Sequence, residues 1–517
     1  MRLPRSVHWK LCHSMRLRYS IRFSIQFAQA LGLCSILLLL DGEKVSLSIS
    51  TREVSTSSFR DPAGCVFREN DEIYRQVNLV YKPHYDWLLQ SGLYQVLVAK
   101  NLLIAHEEID FVKEDAQRIL SADDNRFSIY KICKPKKVPF ISYPYEWCFS
   151  QLKDAALATL EIQSLALKHG MILKDSNAFN IQFVNGKPLL IDTLSFERYE
   201  PGKPWVAYRQ FCQHFLAPLV LMSTVDVRLG SLSRNYIDGI PLDLACKLLP
   251  TLALIRPSVA IHLAIHANAH KNTITKLEAS GEQSGFSKDA MLGLVDSLKG
   301  AVEALKIAKV KSDWTGYYED NNYTVAAQEE KQRIVSRFID QTKPRMLWDF
   351  GANTGAFSEI AAAKGICTVS MDFDHNCVEA NYLKSRESGQ NLLPLVVDMS
   401  QPTPAIGWAN AERQRLDQRG KADTILALAL VHHLAIANNV PLDQIAAYFS
   451  KLGQWLIIEF ITKDDSQVKR LLSSRKDVFA DYSQASFEAS FSQYFSMVER
   501  LPIAASYRTI YLLESKA

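Results

Sequence analysis

Residues 345–358 read Arg345-Met346-Leu347-Trp348-Asp349-Phe350-Gly351-Ala352-Asn353-Thr354-Gly355-Ala356-Phe357-Ser358, and this stretch decides the fold. An apolar run closed by an acid predicts a strand, the glycines a tight turn, and the residues beyond them a helix. A strand, a Gly-rich turn and a helix in that order make a βα turn of the nucleotide-binding kind. Gly351 and Gly355 let the backbone turn tightly and approach a ligand closely, because a Cβ would block either the φ values or the approach.

The pattern is D-x-G-x-N-x-G, which differs from the dinucleotide fingerprint G-x-G-x-x-G. It resembles motif I of class I S-adenosylmethionine (SAM) dependent methyltransferases, with Asp349, Gly351, Asn353 and Gly355 as cofactor-binding residues. Asn353 stands at the commoner central glycine, and Asn accepts left-handed backbone angles.

The next strands extend the pattern. A helix from Ser358 to Lys364 leads to a strand, Cys367 to Met371, closed by Asp372 and followed by Phe373-Asp374. An acid there, about twenty residues past the glycines, can accept both ribose hydroxyls; Asp372 is the first choice and Asp374 the second. After a helix from His375 to Ser385, the strand Leu393 to Val397 ends in Asp398, where the resemblance implies a carboxylate accepting the adenine amino group. Strands that each end in Asp put the acids on one edge of a parallel sheet, where open α/β folds bind ligands.

The fourth strand is expected over Asp423 to Val431, followed by His432 and His433. The resemblance places the end of this strand opposite the transferring methyl group. There is no (D/N)-P-P-(Y/F) sequence of the enzymes that act on nucleobase or glutamine nitrogens. An imidazole titrates near neutrality, so His432 and His433 are candidate bases for a hydroxyl, amine or thiol acceptor. A fifth strand, Trp455 to Phe460, and a terminal pair, Phe495 to Val498 with Arg508 to Leu513, complete a Rossmann-like seven-stranded sheet with the antiparallel last strand of these methyltransferases. The resemblance covers residues 313–517. Upstream, Trp314 to Tyr318 and a helix from Thr324 to Gln341 are expected to form a lid, with Tyr317 or Tyr323 available to stack on the ligand.

Residues 57–257 are expected to form an accessory α+β domain. Asp154 to His169 reads as a helix, and Asn185-Gly186 between apolar runs is the strongest short hairpin signal. Asp175 and Asn180, followed by a strand ending in Asp192, resemble the catalytic loop and metal-binding Asp of kinases. That resemblance implies Asp175 as base and Asn180 and Asp192 as Mg²⁺ ligands, with Lys100 or Arg75 as the phosphate-binding cation. Leu173-Lys174 and Thr193-Leu194 depart from the kinase pattern, and no Gly-rich loop precedes them. Arg209, Gln210, His214 and the cluster Tyr143, Tyr145 and Trp147 are candidates to line a groove. A helical connector is expected over 258–312, with a flexible linker at Lys271 to Lys288. The whole arrangement is similar to nodulation host-specificity proteins of the NoeA type, whose C-terminal half is methyltransferase-like.

Composition sets the outer limits. The 517 residues argue for more than one domain. Lys+Arg 59 against Asp+Glu 55 supplies no footprint for nucleic acid. With 48% hydrophobic and 22% charged residues, most of the chain is expected to fold. The nine scattered cysteines contain no C-x-x-C pair and read as reduced thiols in a cytoplasmic protein. Residues 1–50 form a basic, then apolar extension. Phe23 to Leu40 is uncharged but short for a membrane span and interrupted by Gln26 and Gln29. A peripheral segment, or a reading-frame extension with Met15 as internal start, fits better than an anchor. The expected function is SAM-dependent methyl transfer to a small-molecule, glycan or protein acceptor. The alternatives are a kinase-like phosphotransferase and a non-catalytic SAM-binding scaffold.

Overall fold

A computed structural model describes residues 36–39, 46–49, 52–70, 72–109, 128–251, 260–264, 287–307, 325–473 and 477–516. The expectations for residues 1–22, the linker at Lys271 to Lys288, and Tyr317 and Tyr323 lie outside the described residues, apart from the linker's last two. The chain divides into two compact units, residues 1–86 with 105–137, and residues 87–104 with 138–517. The division falls inside the 57–257 segment.

In the first unit, β1 (Ile36–Leu39) pairs antiparallel with β2 (Ser46–Ile49), so the apolar end of the N-terminal run is a strand. An antiparallel sheet holds β3 (Arg52–Val54), β4 (Gly64–Glu69), β5 (Glu72–Asn78), β6 (His106–Ile109) and β7 (Ile129–Pro135) in the order β3-β4-β5-β7-β6. Tyr85 is buried against it, its hydroxyl donating to Glu108 at 3.0 Å.

The second unit begins with helical structure around the long helix Phe149–Lys168. Two small antiparallel pairs follow, β8 (Met171–Leu173) with β11 (Phe196–Arg198), and β9 (Ile181–Val184) with β10 (Lys187–Leu190). The β9–β10 hairpin turns at Asn185 and Gly186, both at positive φ (50° and 70°), as that dipeptide predicts.

The rest of this unit is a seven-stranded sheet of β12 (Met346–Phe350), β13 (Cys367–Asp372), β14 (Leu392–Val396), β15 (Ala422–Ala427), β16 (Gly453–Ile461), β17 (Phe495–Pro502) and β18 (Arg508–Ser515). Their order is β14-β13-β12-β15-β16-β18-β17, parallel through β16, with β18 antiparallel between β16 and β17. The central strands are buried and mostly apolar because both faces are covered. Leu347, Leu426 and Ile457 face the helix Val325–Thr342, whereas Trp348, Phe350, Ile425 and Ile458 enter the larger core on the other face. Among the described residues, no helix is long and apolar enough to cross a membrane.

One strand ends earlier than its apolar run predicts. β15 stops at Ala427, four residues short of Val431. Ala429 has φ 50°, a left-handed angle that breaks the strand, and its N–H donates to Glu459 Oε2 at 2.8 Å rather than to a ladder partner.

Candidate cofactor site

A cavity of about 320 Å³ opens at the carboxyl ends of β12 to β15. This is the edge where the strand order reverses beside β12, and ligands of open α/β sheets bind there. Asp349, Gly351, Asn353, Asp372, Asp398 and His433 line it, so the structure brings together most of the residues singled out from sequence.

The Gly-rich turn is held from below. Asp372 Oδ2 accepts the Asn353 N–H at 2.7 Å, and Oδ1 accepts the Asp374 N–H at 2.9 Å. Asp374 in turn caps the helix His375–Ser388 by accepting from Asn376 and Cys377. Burial pushes the Asp372 carboxyl up to about 6, against backbone N–H bonds from Asp374, Asn353 and Phe373 that favour its charge. Asp349 accepts the Ser358 hydroxyl at 2.6 Å. Its carboxyl is pushed up to about 7, first by burial and then, against the Ser358 bond, by the charge of Asp372.

The two glycines differ in role. At Gly351 (φ 70°) a Cβ would lie 3.2 Å from the Leu430 side chain in the cavity wall. At Gly355 (φ 84°) a Cβ would lie 2.4 Å from Asn381 Oδ1, and Gly355 is outside the lining. Gly355 therefore makes the tight turn expected of it and also lets the helix His375–Ser388 pack closely against that turn.

The adjacent histidines also part. His433 lines the cavity, and burial pushes its imidazole down to about 4, so it is neutral at pH 7. His432 is 1% exposed, lies outside the lining, and neither ring nitrogen has a hydrogen-bond partner. A candidate base has to reach the cavity, and of the two only His433 does.

Sequence reasoning missed a chain of buried charges behind the cavity. Lys331, on the helix Val325–Thr342, lines the cavity and donates to Glu459 Oε2 at 2.7 Å. Glu459 Oε1 lies 3.7 Å from an Arg508 nitrogen, and Arg508 Nε donates to Asp465 at 2.9 Å. Two signals were available. Lys331 falls in the helical period of Ala327, Ile334, Val335 and Phe338, and Glu459 is a lone acid inside a buried apolar strand.

In the accessory segment, Asn180 Nδ2 donates to Asp175 Oδ2 at 3.0 Å, and the charge of Asp192 helps burial raise the Asp175 carboxyl. Asp192 accepts from Ser195 Oγ at 2.9 Å and from the Leu194 N–H at 3.2 Å. Lys100 is on the surface and paired with Glu161 at 3.2 Å, both half exposed. Arg75 sits on β5 in the other compact unit. Of the residues expected to line a groove, Tyr143 and Tyr145 are buried together with Phe179, Trp147 donates to Ser142, and Gln210 accepts the Ser176 N–H, whereas Arg209 is exposed. Among the described residues, no group of three or more His, Cys, Asp or Glu could hold a metal ion.

No protein-family model matches the chain. It is similar to nodulation protein NoeA of Rhizobium meliloti (strain 1021), 35% identical over 462 residues that span 88% of this chain and 95% of that protein. Among solved structures it is similar to the N-methyltransferase NodS from Bradyrhizobium japonicum WM9, at 11% identity and a TM-score of 0.28, over 38% of this chain and 99% of that one. It is also similar to magnesium protoporphyrin IX methyltransferase from Synechocystis PCC 6803, crystallised with bound S-adenosylhomocysteine (SAH), at 17% identity and a TM-score of 0.29, over 39% and 92%.

Proposed function

The chain belongs to the family of nodulation protein NoeA, and on the geometry of its site we propose that it is a SAM-dependent methyltransferase. One observation carries this reading: Asp349, Asp372 and Asp398, at or just past the ends of three adjacent parallel strands, line one cavity together with Gly351. The donor set fits the cofactor. Carboxylates suit a ligand with two cationic groups, ribose hydroxyls and an exocyclic amine, and Gly351 leaves room for close approach. SAM supplies a methyl group already activated as a sulfonium, so the protein's work is mainly to position the acceptor. Asp372 fixes the turn and offers its remaining lone pairs to the ribose, and Asp398 faces the adenine. His433, neutral and in the cavity lining, is the candidate to take a proton from a hydroxyl, amine or thiol. The acceptor class is a small molecule, glycan or protein, and the setting is the cytoplasm. Calorimetric titration with SAM should show one-site binding, weakened about tenfold or more in Asp372→Asn through loss of a charged acceptor. No saturable heat in the wild type would sink the proposal; unchanged affinity in the variant would sink the ribose assignment.

A second reading, phosphotransfer by the accessory segment, is favoured by the Asp175–Asn180 contact and the nearby charge of Asp192. It requires Mg²⁺–ATP binding that disappears in Asp192→Ala. Wild-type protein that binds no ATP rules it out and leaves the segment a structural support.

A further inference from the structure

Among the described residues lining the cavity, Lys331 is the one lysine or arginine; the other charged groups are acids, and His433 is neutral. Lys331 is only 4% exposed; burial loosens its hold on the proton, and the Glu459 carboxylate beside it opposes that loss. The chain Lys331–Glu459–Arg508–Asp465 alternates in sign and sums to zero, but it runs from a cation at the cavity to an anion at the far end. Its positive end therefore meets the ligand. The Phe357 ring, 5.0 Å from Nζ, favours the ammonium further.

SAM carries a sulfonium, an ammonium and a carboxylate at neutral pH. A buried cation repels the first two, so of the cofactor's charged groups it pairs with the third. We propose that Lys331 receives the amino-acid carboxylate of the cofactor and so determines which way the cofactor lies along the cavity, an inference that rests on the methyl-transfer reading above. An ammonium has three donors and can hold Glu459 and a ligand carboxylate together. Asp349 lines the same cavity and feels the charge of Lys331, which leaves it to the cofactor ammonium. Lysine and aspartate thus meet the two ends of an amino-acid zwitterion.

The test uses the full chain and calorimetry with two probes, SAH and its decarboxylated analogue, which keeps the adenosine, thioether and amine. Wild type should bind SAH about tenfold or more tightly than the analogue, as expected for one charge-assisted contact. The ratio should fall to near one in Lys331→Met/Glu459→Gln, which removes the cation without stranding a buried carboxylate, and should persist in Glu459→Gln alone. If the double variant does not fold, Lys331→Gln, whose amide can still donate to Glu459, takes its place. Equal binding of both probes by wild type, or a ratio that survives loss of the lysine, overturns the inference. Wild type that binds neither probe overturns the cofactor reading itself.

Discussion

Asp349 and Asp372 are carboxyls that folding has made reluctant to ionise, at about 7 and about 6. An unfolded aspartate loses its proton near pH ~4. Between that pH and about 7 the folded state binds more protons than the unfolded one, so these groups make stability fall as pH rises, and the loss is complete above the folded values. A cationic ligand has the opposite preference and favours both carboxylates charged. SAM binding should therefore release protons and tighten as pH rises from 5.5 toward 7.5, by at most about tenfold per pH unit for each group that titrates. His433, at about 4, takes no part in that window. Titrations at pH 6.5 in two buffers of different ionisation enthalpy should give different apparent heats. Equal heats and a flat affinity profile would show that neither carboxyl changes protonation on binding. The strand-tip acids were legible because each closes an apolar run. The histidine pair was not, since adjacent residues carry the same pattern, and which of them faces the cavity is settled by the turn that Ala429 imposes.

Elements were legible wherever the local pattern and the environment agree. β12, β13 and β16 are apolar runs covered on both faces, and Asn185-Gly186 adopts the left-handed angles that its hairpin needs. The fourth strand misled because its run continues past Ala427 with residues that are buried, but no longer in the sheet. Burial gives Leu428 and Val431 the same apolar character inside a strand or just beyond it. What ends β15 is a long-range bond, the Ala429 N–H to Glu459 on the next strand, which no local pattern reports. A left-handed alanine is strained, and strain of this kind persists only where the surroundings over-determine it. The buried carboxylate that accepts from both Ala429 and Lys331 is such a determinant, tying the helix Val325–Thr342 to the rim of the cavity. The boundary between the compact units was also illegible, because residues 87–104 join the second unit while 105–137 return to the first. Periodicity identifies elements without saying which core they enter.

At the scale of the molecule, the helical segment from Val138 and the seven-stranded sheet share one compact unit, and the join between them is buried. Arg419 donates to both oxygens of Glu146, at 2.7 and 2.8 Å, and neither side chain is more than 1% exposed. The guanidinium lies 5.0 Å from the ring centre of Phe140 and 4.8 Å from that of Tyr143, and Thr403 also donates to Glu146. Farther along, Gln151 donates to the Pro394 carbonyl on β14, and Asp154 accepts from Tyr382 and Arg386. A buried pair contributes little net stability compared with apolar groups of similar shape, but removing one partner strands a charge at a cost of about 3–5 kcal/mol. Glu146→Leu should therefore destabilise the protein by that order, whereas Glu146→Leu/Arg419→Met should recover most of the loss. Because the pair belongs to the cores on both sides, the single variant should shift the unfolding of helical segment and sheet together. Differential scanning calorimetry, with hydrogen exchange followed on the helix Phe149–Lys168 and on β13, reads both quantities. Independent behaviour of the two segments, with one destabilised and the other unchanged, would mean that they fold as separate domains. Joint behaviour makes the accessory segment a structural part of the fold that carries the candidate cofactor site, whatever the Asp175–Asn180 loop does.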